Sequence, residues 1–145
     1  MSFPQEEPVK CSLKQFHNLR WIIGSWRGWI SRDHFSYERF TFLNDSTIRE
    51  DLYLDSAMTQ HNDEMIIKFR NENIFLESAN GFWVVVKLDS TSVLFSVADR
   101  SSHYLIDGPH ILFNSIKNGT WTRNYYGVDK KGKHHSDIYH TERIK

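Results

Sequence analysis

The segment NLRWIIGSWRGWIS, residues 18–31, places three tryptophans and two glycines within 14 positions. Its first half continues a helical pattern that spans Leu13–Ile23, with Ser12 as the N-terminal cap and Gly24 as the stop. This helix is only about three turns long, so its apolar face needs a surface to cover. The residues after Gly24 predict a β-strand, so the segment marks the change from a short helix to a sheet.

Turn signals then recur to the end of the chain, with strand-like segments between them. Asn80-Gly81 and Lys117-Asn118-Gly119 are strong signals, because Asn-Gly favours a two-residue hairpin turn. Strands without intervening helices predict antiparallel neighbours joined in chain order. An open sheet of about ten strands would leave exposed edges, so closure is expected. The sequence therefore predicts an all-β, antiparallel up-and-down barrel of about ten strands, with the helical segment capping one end.

Alternation along the strands predicts which side chains face the barrel interior. The inward residues predicted from two of the strands are Phe82, Val84, Val86 and Leu88, together with Met65, Ile67 and Phe69. On a third strand, Glu50 shares a face with Ile48 and Leu52. This pattern would place a carboxylate among apolar neighbours.

Composition and charge narrow the class of protein. The 145 residues fit one domain, with residues 1–12 expected to form a flexible N-terminal tail and residues 13–145 the barrel. Lys plus Arg and Asp plus Glu both number 18, which disfavours nucleic acid and anionic membranes as partners. Cys11 is the only cysteine, so an internal disulfide is excluded. Because no signal-peptide pattern or long apolar run is found, the expected location is the cytoplasm.

Gly24-Ser25-Trp26, preceded by a helical turn, resembles the Gly-x-Trp motif that opens the barrels of the lipocalin and calycin superfamily. The longer run LRWIIGSWRG is similar to the LxWLxGxWxG start of small bacterial lipocalin-like proteins. The resemblance implies a lipocalin-like barrel in which Trp26 closes the bottom and a basic residue of the last strand packs over it. Arg143 stands at the position of that partner, and a cation over an indole ring stabilises by about 0.5–2 kcal/mol.

The aromatic content of 14% favours large flat side chains around a cavity or at an interface. The leading hypothesis is a non-enzymatic carrier or sensor for a small, largely apolar molecule held inside the barrel. A few polar groups would orient that molecule. The side chains expected in the pocket or at a barrel end are Trp26, Tyr37, Arg39, Glu50, Arg123, Tyr125 and Tyr139.

Two alternatives concern what the barrel does. A calycin-type enzyme would bring two or more titratable Glu, Arg, Tyr or His side chains together in the cavity, although the motifs of those enzymes are not found and no catalytic residue is assigned. A filled barrel would act as a protein-interaction module, with aromatics such as Trp29 or Trp83 exposed on its outer wall. A homodimer through a sheet face also stays open.

A third alternative concerns haem. The run GSWRG resembles the opening of nitrobindins, ten-stranded barrels that bind haem through a histidine near the C-terminus, and this implies His140 as the axial ligand. The rest of the nitrobindin pattern is missing, so the leading hypothesis includes no cofactor. It includes no metal either. His134 and His140 share a strand face about 20 Å apart, and His135 with Asp137 supplies only two ligands.

Overall fold

Ten antiparallel strands form a closed barrel in the computed structural model of the protein. The structure describes residues 7–79, 81–98, 105–116 and 119–144, apart from the side chain of Ile106. The strands, β1 to β10 in chain order, are Gly24–Trp29, Ser36–Asn44, Thr47–Tyr53, His61–Arg70, Asn73–Ser78, Gly81–Leu88, Ser92–Val97, Leu105–Ile116, Thr120–Asp129 and His134–Arg143. Asn80, Lys117 and Asn118, named above as turn residues, lie outside the described residues.

The strands follow one another around the barrel in chain order. Each strand pairs with the next one along the chain, and β1 pairs with β10 to close the ring. The closing pair aligns Trp26 with Arg143 and Gly28 with Thr141. The predicted all-β, up-and-down barrel of about ten strands is therefore confirmed.

The helical segment before β1 covers one end of the barrel. It consists of an α-helix, α1 (Leu13–His17), followed directly by a 3-10 helix (Asn18–Ile22). The Ser12 hydroxyl accepts a hydrogen bond from the Gln15 backbone N–H at 3.1 Å, and the Gln15 side chain accepts one from Ser12 at 2.8 Å. This reciprocal capping box fixes the helix start. The buried side chains that face the barrel are Phe16, Leu19 and Ile22.

Part of the predicted tail also lies against the barrel. The backbone N–H of Val9 donates to the Val85 carbonyl at 3.0 Å, and that of Cys11 donates to the Glu72 carbonyl at 2.7 Å. The Cys11 side chain is buried and belongs to the main core. These contacts tie the chain before α1 to β6 and to the turn between β4 and β5. In the described part of the chain, no helix has the length and apolar character needed to cross a membrane.

The inward face predicted for β6 is wrong for most of the strand. Trp83 and Val85 belong to the main core, whereas Val84 and Val86 form a second apolar cluster on the outer wall with Leu94. The prediction failed because both faces of β6 are apolar, so alternation alone does not distinguish them. A register shift between Val85 and Lys87 then breaks the alternation, as a β-bulge does. Beyond it, Leu88 packs against the main core, as predicted.

The prediction for β4 is confirmed. Ile67 is fully buried in the main core, and Met65 and Phe69 pack against that core. Here the opposite face carries Lys68 and Arg70, so alternation separates an apolar face from a polar one.

Four aromatic side chains fill the interior next to the 3-10 helix. The Trp121 ring centroid lies 5.0 Å from that of Phe113, 5.6 Å from Phe40 and 5.9 Å from Trp26. The Trp26 indole N–H donates to the Ile22 carbonyl at 2.7 Å, which joins these rings to the 3-10 helix. We call these four residues the aromatic floor of the barrel interior.

Candidate functional site

Three ionisable side chains meet inside the barrel. Arg123, on β9, is 3% exposed, and Glu38 on β2 and Glu50 on β3 are both 0% exposed. Arg123 Nη2 donates to Glu50 Oε2 and lies 3.3 Å from Glu38 Oε2, while Nη1 lies 3.4 Å from Glu50 Oε1. One guanidinium therefore binds two carboxyl groups. We call these three residues the Arg123 cluster.

Strand alternation explains how each member reaches the interior. Glu38 lies two residues before Phe40, Glu50 two residues after Ile48, and Arg123 two residues after Trp121, and these three apolar partners are all fully buried. Because residues two apart on a strand share a face, each polar side chain points inward beside an apolar one. The cluster is a polar layer set directly against the aromatic floor.

Aromatic rings surround the Arg123 guanidinium. Its central carbon lies 4.6 Å from the Phe113 ring centroid, 5.2 Å from Trp121, 5.9 Å from Phe40 and 6.0 Å from Tyr139. A cation at this distance is attracted by the negative face of a ring. The guanidinium is thus stabilised by ring faces as well as by carboxylates.

Two tyrosines border the cluster. Arg123 Nη1 donates to the Tyr125 hydroxyl at 3.2 Å, and the Tyr139 hydroxyl is hydrogen-bonded to Ser36 Oγ. Burial raises the pKa of both phenols above the ordinary value of 10.0. Both hydroxyls therefore stay neutral at physiological pH and serve as hydrogen-bonding groups.

The Glu38 carboxyl does not titrate as an ordinary glutamate. Burial raises the pKa of Glu38 well above its ordinary value of 4.5; Arg123 partly opposes this shift, and the neighbouring Glu50 carboxylate adds to it. Burial acts against the charge of Arg123, but Glu50 and the other neighbouring groups together outweigh it, and the pKa of Arg123 is raised. The cluster therefore favours a charged arginine and a protonated Glu38.

Two polar atoms of the cluster are left without a partner. Glu38 Oε1 and Arg123 Nε are buried and make no hydrogen bond to any described residue. An unpaired buried polar group costs about 1–3 kcal/mol. Among the described residues, the cluster therefore has one carboxyl oxygen and one N–H donor whose hydrogen bonding is not satisfied.

Glu38 was not among the side chains expected in the pocket. Two of the expected side chains lie elsewhere. Tyr37 and Arg39, the neighbours of Glu38 on β2, point to the outer wall: Tyr37 lines a surface groove of about 260 Å³, and Arg39 donates to Ser25 Oγ at 3.2 Å. The signal that identifies Glu38 is its shared strand face with Phe40. The structure thus brings together Glu50, Arg123, Tyr125 and Tyr139, and adds Glu38 to them.

Arg143 and Trp26 lie together at the capped end of the barrel. The Arg143 guanidinium carbon is 4.3 Å from the Trp26 ring centroid, and its Nη1 donates to the Ile23 carbonyl at 3.2 Å. The two residues are also register partners in the closing strand pair. This contact connects the start of β1 to the end of β10 and does not reach the Arg123 cluster.

His140 does not fit the role of an internal haem ligand. It is exposed on the outer wall, where its ring stacks on Trp29 at 5.8 Å. The aromatics considered for an interaction surface are buried: Trp29 is covered by Phe35, His140 and Arg32, and Trp83 lies in the main core. Their side chains are therefore not presented together on the outer wall.

A second polar group lies on the outer wall between β7 and β8. Ser96 Oγ is 3.1 Å from His110 Nδ1, and His110 Nε2 is 2.7 Å from Asp107 Oδ1. These are the residue types of a hydrolase triad. Ser96, however, is only 2% exposed and pairs with the outward-facing Val84, so its hydroxyl is not presented to a substrate. We interpret the group as a polar link between the two strands.

A third group contains residue types that bind metals. Among the described residues, the ligand atoms of Asp51, His61 and Glu64 lie within 4.8 Å of one another. Arg49 donates to Asp51 at 2.9 Å and lies 2.6 Å from Glu64. Because a guanidinium already binds both carboxylates, the group is an ion-pair network on the outer wall of β3 and β4.

The sequence was compared with protein-family models and with curated proteins. No protein-family model matches the sequence, and no curated protein is significantly similar to it. The closed ten-stranded antiparallel barrel is compatible with a lipocalin-like fold. Because one fold supports many functions, the chemistry of the Arg123 cluster is the basis for a functional conclusion.

Proposed function

We propose that the protein binds a small, largely apolar molecule inside the barrel, as a non-enzymatic carrier or sensor. The observation that carries this proposal is the pair of unpartnered buried atoms, Glu38 Oε1 and Arg123 Nε. A ligand with a polar end would pair with one or both of these atoms, while its apolar body would gain about 25 cal/mol for each Å² removed from water. Pockets of this kind are mostly apolar with a few placed polar groups.

The contacts around the Arg123 cluster support a ligand whose polar end lies at this depth of the barrel. The Tyr125 hydroxyl lies next to Arg123 and would orient a ligand by hydrogen bonding. The opposite side of the cluster is closed by the aromatic floor. The ligand therefore lies on the side of the cluster away from the 3-10 helix.

The proposal includes membership of the lipocalin-like barrels and a location in the cytoplasm. Membership is supported by the Gly24-Ser25-Trp26 motif at the start of β1 and by the contact between Trp26 and Arg143. The location is supported by the lone Cys11, which is unpaired and buried.

A second candidate, an acid–base enzyme, uses the same residues. Glu38 has a raised pKa and lies beside another carboxyl group, and enzymes use such pairs as general acid and base. Arg123, however, already binds both carboxyls, and this arrangement suits fixed recognition of a polar group. Conversion of a bound molecule over time, followed by mass spectrometry, distinguishes the enzyme from the carrier.

Native mass spectrometry and dye binding test the carrier. The full chain as purified is expected to retain a small molecule, or to bind the neutral dye N-phenyl-1-naphthylamine at one saturable site, with a rise in fluorescence. Octanol is expected to displace the dye. Tyr125→Phe is expected to weaken octanol several-fold by removing one polar group, whereas Tyr37→Phe, on the outer wall, leaves octanol binding unchanged. A chain that carries no small molecule and does not bind the dye would overturn the carrier and favour a filled barrel.

A further inference from the structure

We infer that the ligand of the Arg123 cluster carries a basic amine on an apolar body, and that it is not a carboxylic acid. This inference rests on the proposed function, since it names the chemical class that the same site selects. It follows from the charges, the ring faces and the unpartnered oxygen of the described residues.

The charge balance of the Arg123 cluster favours a cationic ligand. The cluster contains one permanent cation, Arg123, and two carboxyl groups, Glu38 and Glu50, all buried. The other titratable groups around Glu38 are Tyr125 and Tyr139, which stay neutral. When both carboxyls are ionised, the cluster carries one negative charge in excess. A ligand cation balances that charge, and a ligand anion doubles it.

The groups that surround Arg123 disfavour an anionic ligand. The faces of Phe113 and Trp121 lie 4.6 Å and 5.2 Å from the Arg123 guanidinium, and such faces attract cations and repel anions. The two carboxyl groups and these ring faces thus already compensate the charge of Arg123 and leave little of it for a ligand anion. An arginine intended for a carboxylate ligand would be left free of carboxylates, whereas Arg123 is bound by two.

One oxygen of the Glu38 carboxyl receives the amine. Glu38 Oε1 is the carboxyl oxygen that has no partner among the described residues, while Oε2 of the same carboxyl faces Arg123. An ammonium group donates hydrogen bonds and accepts none, so it matches this oxygen. A bound cation stabilises the ionised form of Glu38. The proton of Glu38 therefore passes to the solvent when the amine binds.

Three ligands with the same chain test the inference on the full protein. Octylamine, octanol and octanoate are compared by displacement of N-phenyl-1-naphthylamine. Octylamine is expected to bind about tenfold or more tightly than octanoate, because juxtaposed like charges are strongly unfavourable. Calorimetry in two buffers of different ionisation enthalpy is expected to show release of about one proton for each octylamine bound.

Glu38→Gln and Glu72→Gln form a matched pair of variants. Gln keeps the shape of the protonated Glu38 and is expected to fold, as circular dichroism will show. Octylamine should then bind no better than octanol, and proton release should be lost. Glu72 lies in the exposed β4–β5 turn, so Glu72→Gln should behave as the wild type. Dye binding with octanoate equal to or tighter than octylamine overturns the inference and leaves the carrier standing; absence of dye binding overturns the carrier itself.

Discussion

Arg123 is the residue around which the interior is organised. Its guanidinium binds both Glu38 and Glu50 and also lies over the Phe113 ring. A lysine could not replace it, because a guanidinium combines a planar fork of N–H donors with stacking on rings. Buried ion pairs add little net stability, since the cost of removing charges from water offsets their attraction. In the proposed carrier, the cluster therefore selects the ligand more than it stabilises the fold.

At this scale we predict that Glu38→Gln removes a pH dependence from the free energy of unfolding. The pKa of Glu38 is raised by burial in the folded state, so the native protein keeps this proton when the unfolded chain has lost it. The stabilisation is complete below the unfolded pKa, near 4.5, and is lost as the pH rises through the folded pKa. Glutamine does not ionise and avoids that loss.

Urea unfolding of the wild type and of Glu38→Gln between about pH 4 and pH 9 measures this effect. The variant should become more stable relative to the wild type as the pH rises. Glu72→Gln, on an exposed turn, should keep the pH profile of the wild type. A difference between Glu38→Gln and the wild type that is constant with pH would contradict the assignment of the shifted carboxyl.

At the scale of elements, Gly28 on β1 makes room for a side chain of β10. A Cβ atom built on Gly28 would lie 2.3 Å from Tyr139 Cε1, so the Tyr139 ring occupies the space that a side chain would fill. Glycine is used in a strand where another group comes this close. The small residue on one strand therefore allows the large one on its neighbour to border the Arg123 cluster.

We predict that Gly28→Ala destabilises the protein by about 1–3 kcal/mol through overpacking. Because the clash is with the Tyr139 ring, Tyr139→Ala in the same chain should relieve most of the cost of Gly28→Ala. Thermal unfolding of the wild type, both single variants and the double variant forms the double-mutant cycle. Additive effects of the two substitutions would show that the ring is not the group displaced.

At the scale of the whole molecule, closure makes the barrel one cooperative unit. Each strand has a hydrogen-bonded neighbour on both sides, and the main core runs from the helical cap to Trp83 and Val97. The pairing of β1 with β10 joins strands that are more than a hundred residues apart in the chain. Such long-range pairing slows folding because loop closure precedes the stabilising contacts.

We predict a single two-state unfolding transition. Far-ultraviolet circular dichroism reports the strands, and tryptophan fluorescence reports the aromatic floor through Trp26 and Trp121, so the two curves should coincide in urea. A change in fluorescence at lower urea than the change in circular dichroism would show that the capped end opens separately from the sheet.

The strand order and the number of strands follow from the sequence because turns and alternation are local. Turn residues act within a few positions, and period-two alternation acts within one strand. This local information also placed Met65 and Ile67 inward, where the opposite face is polar. The same information failed on β6, where apolar side chains on both faces leave the inward one undetermined until the barrel closes and the bulge after Val85 forms.

The candidate site was decided by the tertiary structure. Glu50, Arg123 and their neighbouring tyrosines were expected from the sequence to serve in a pocket, but Glu38 was found only once β2, β3 and β9 were placed around one interior. Glu38 and Arg123 are 85 residues apart in the chain. No local pattern encodes such a contact, because it depends on strand registers set by the closure of all ten strands. The sequence by itself thus determined the barrel and its order, and barrel closure determined which charges meet inside it.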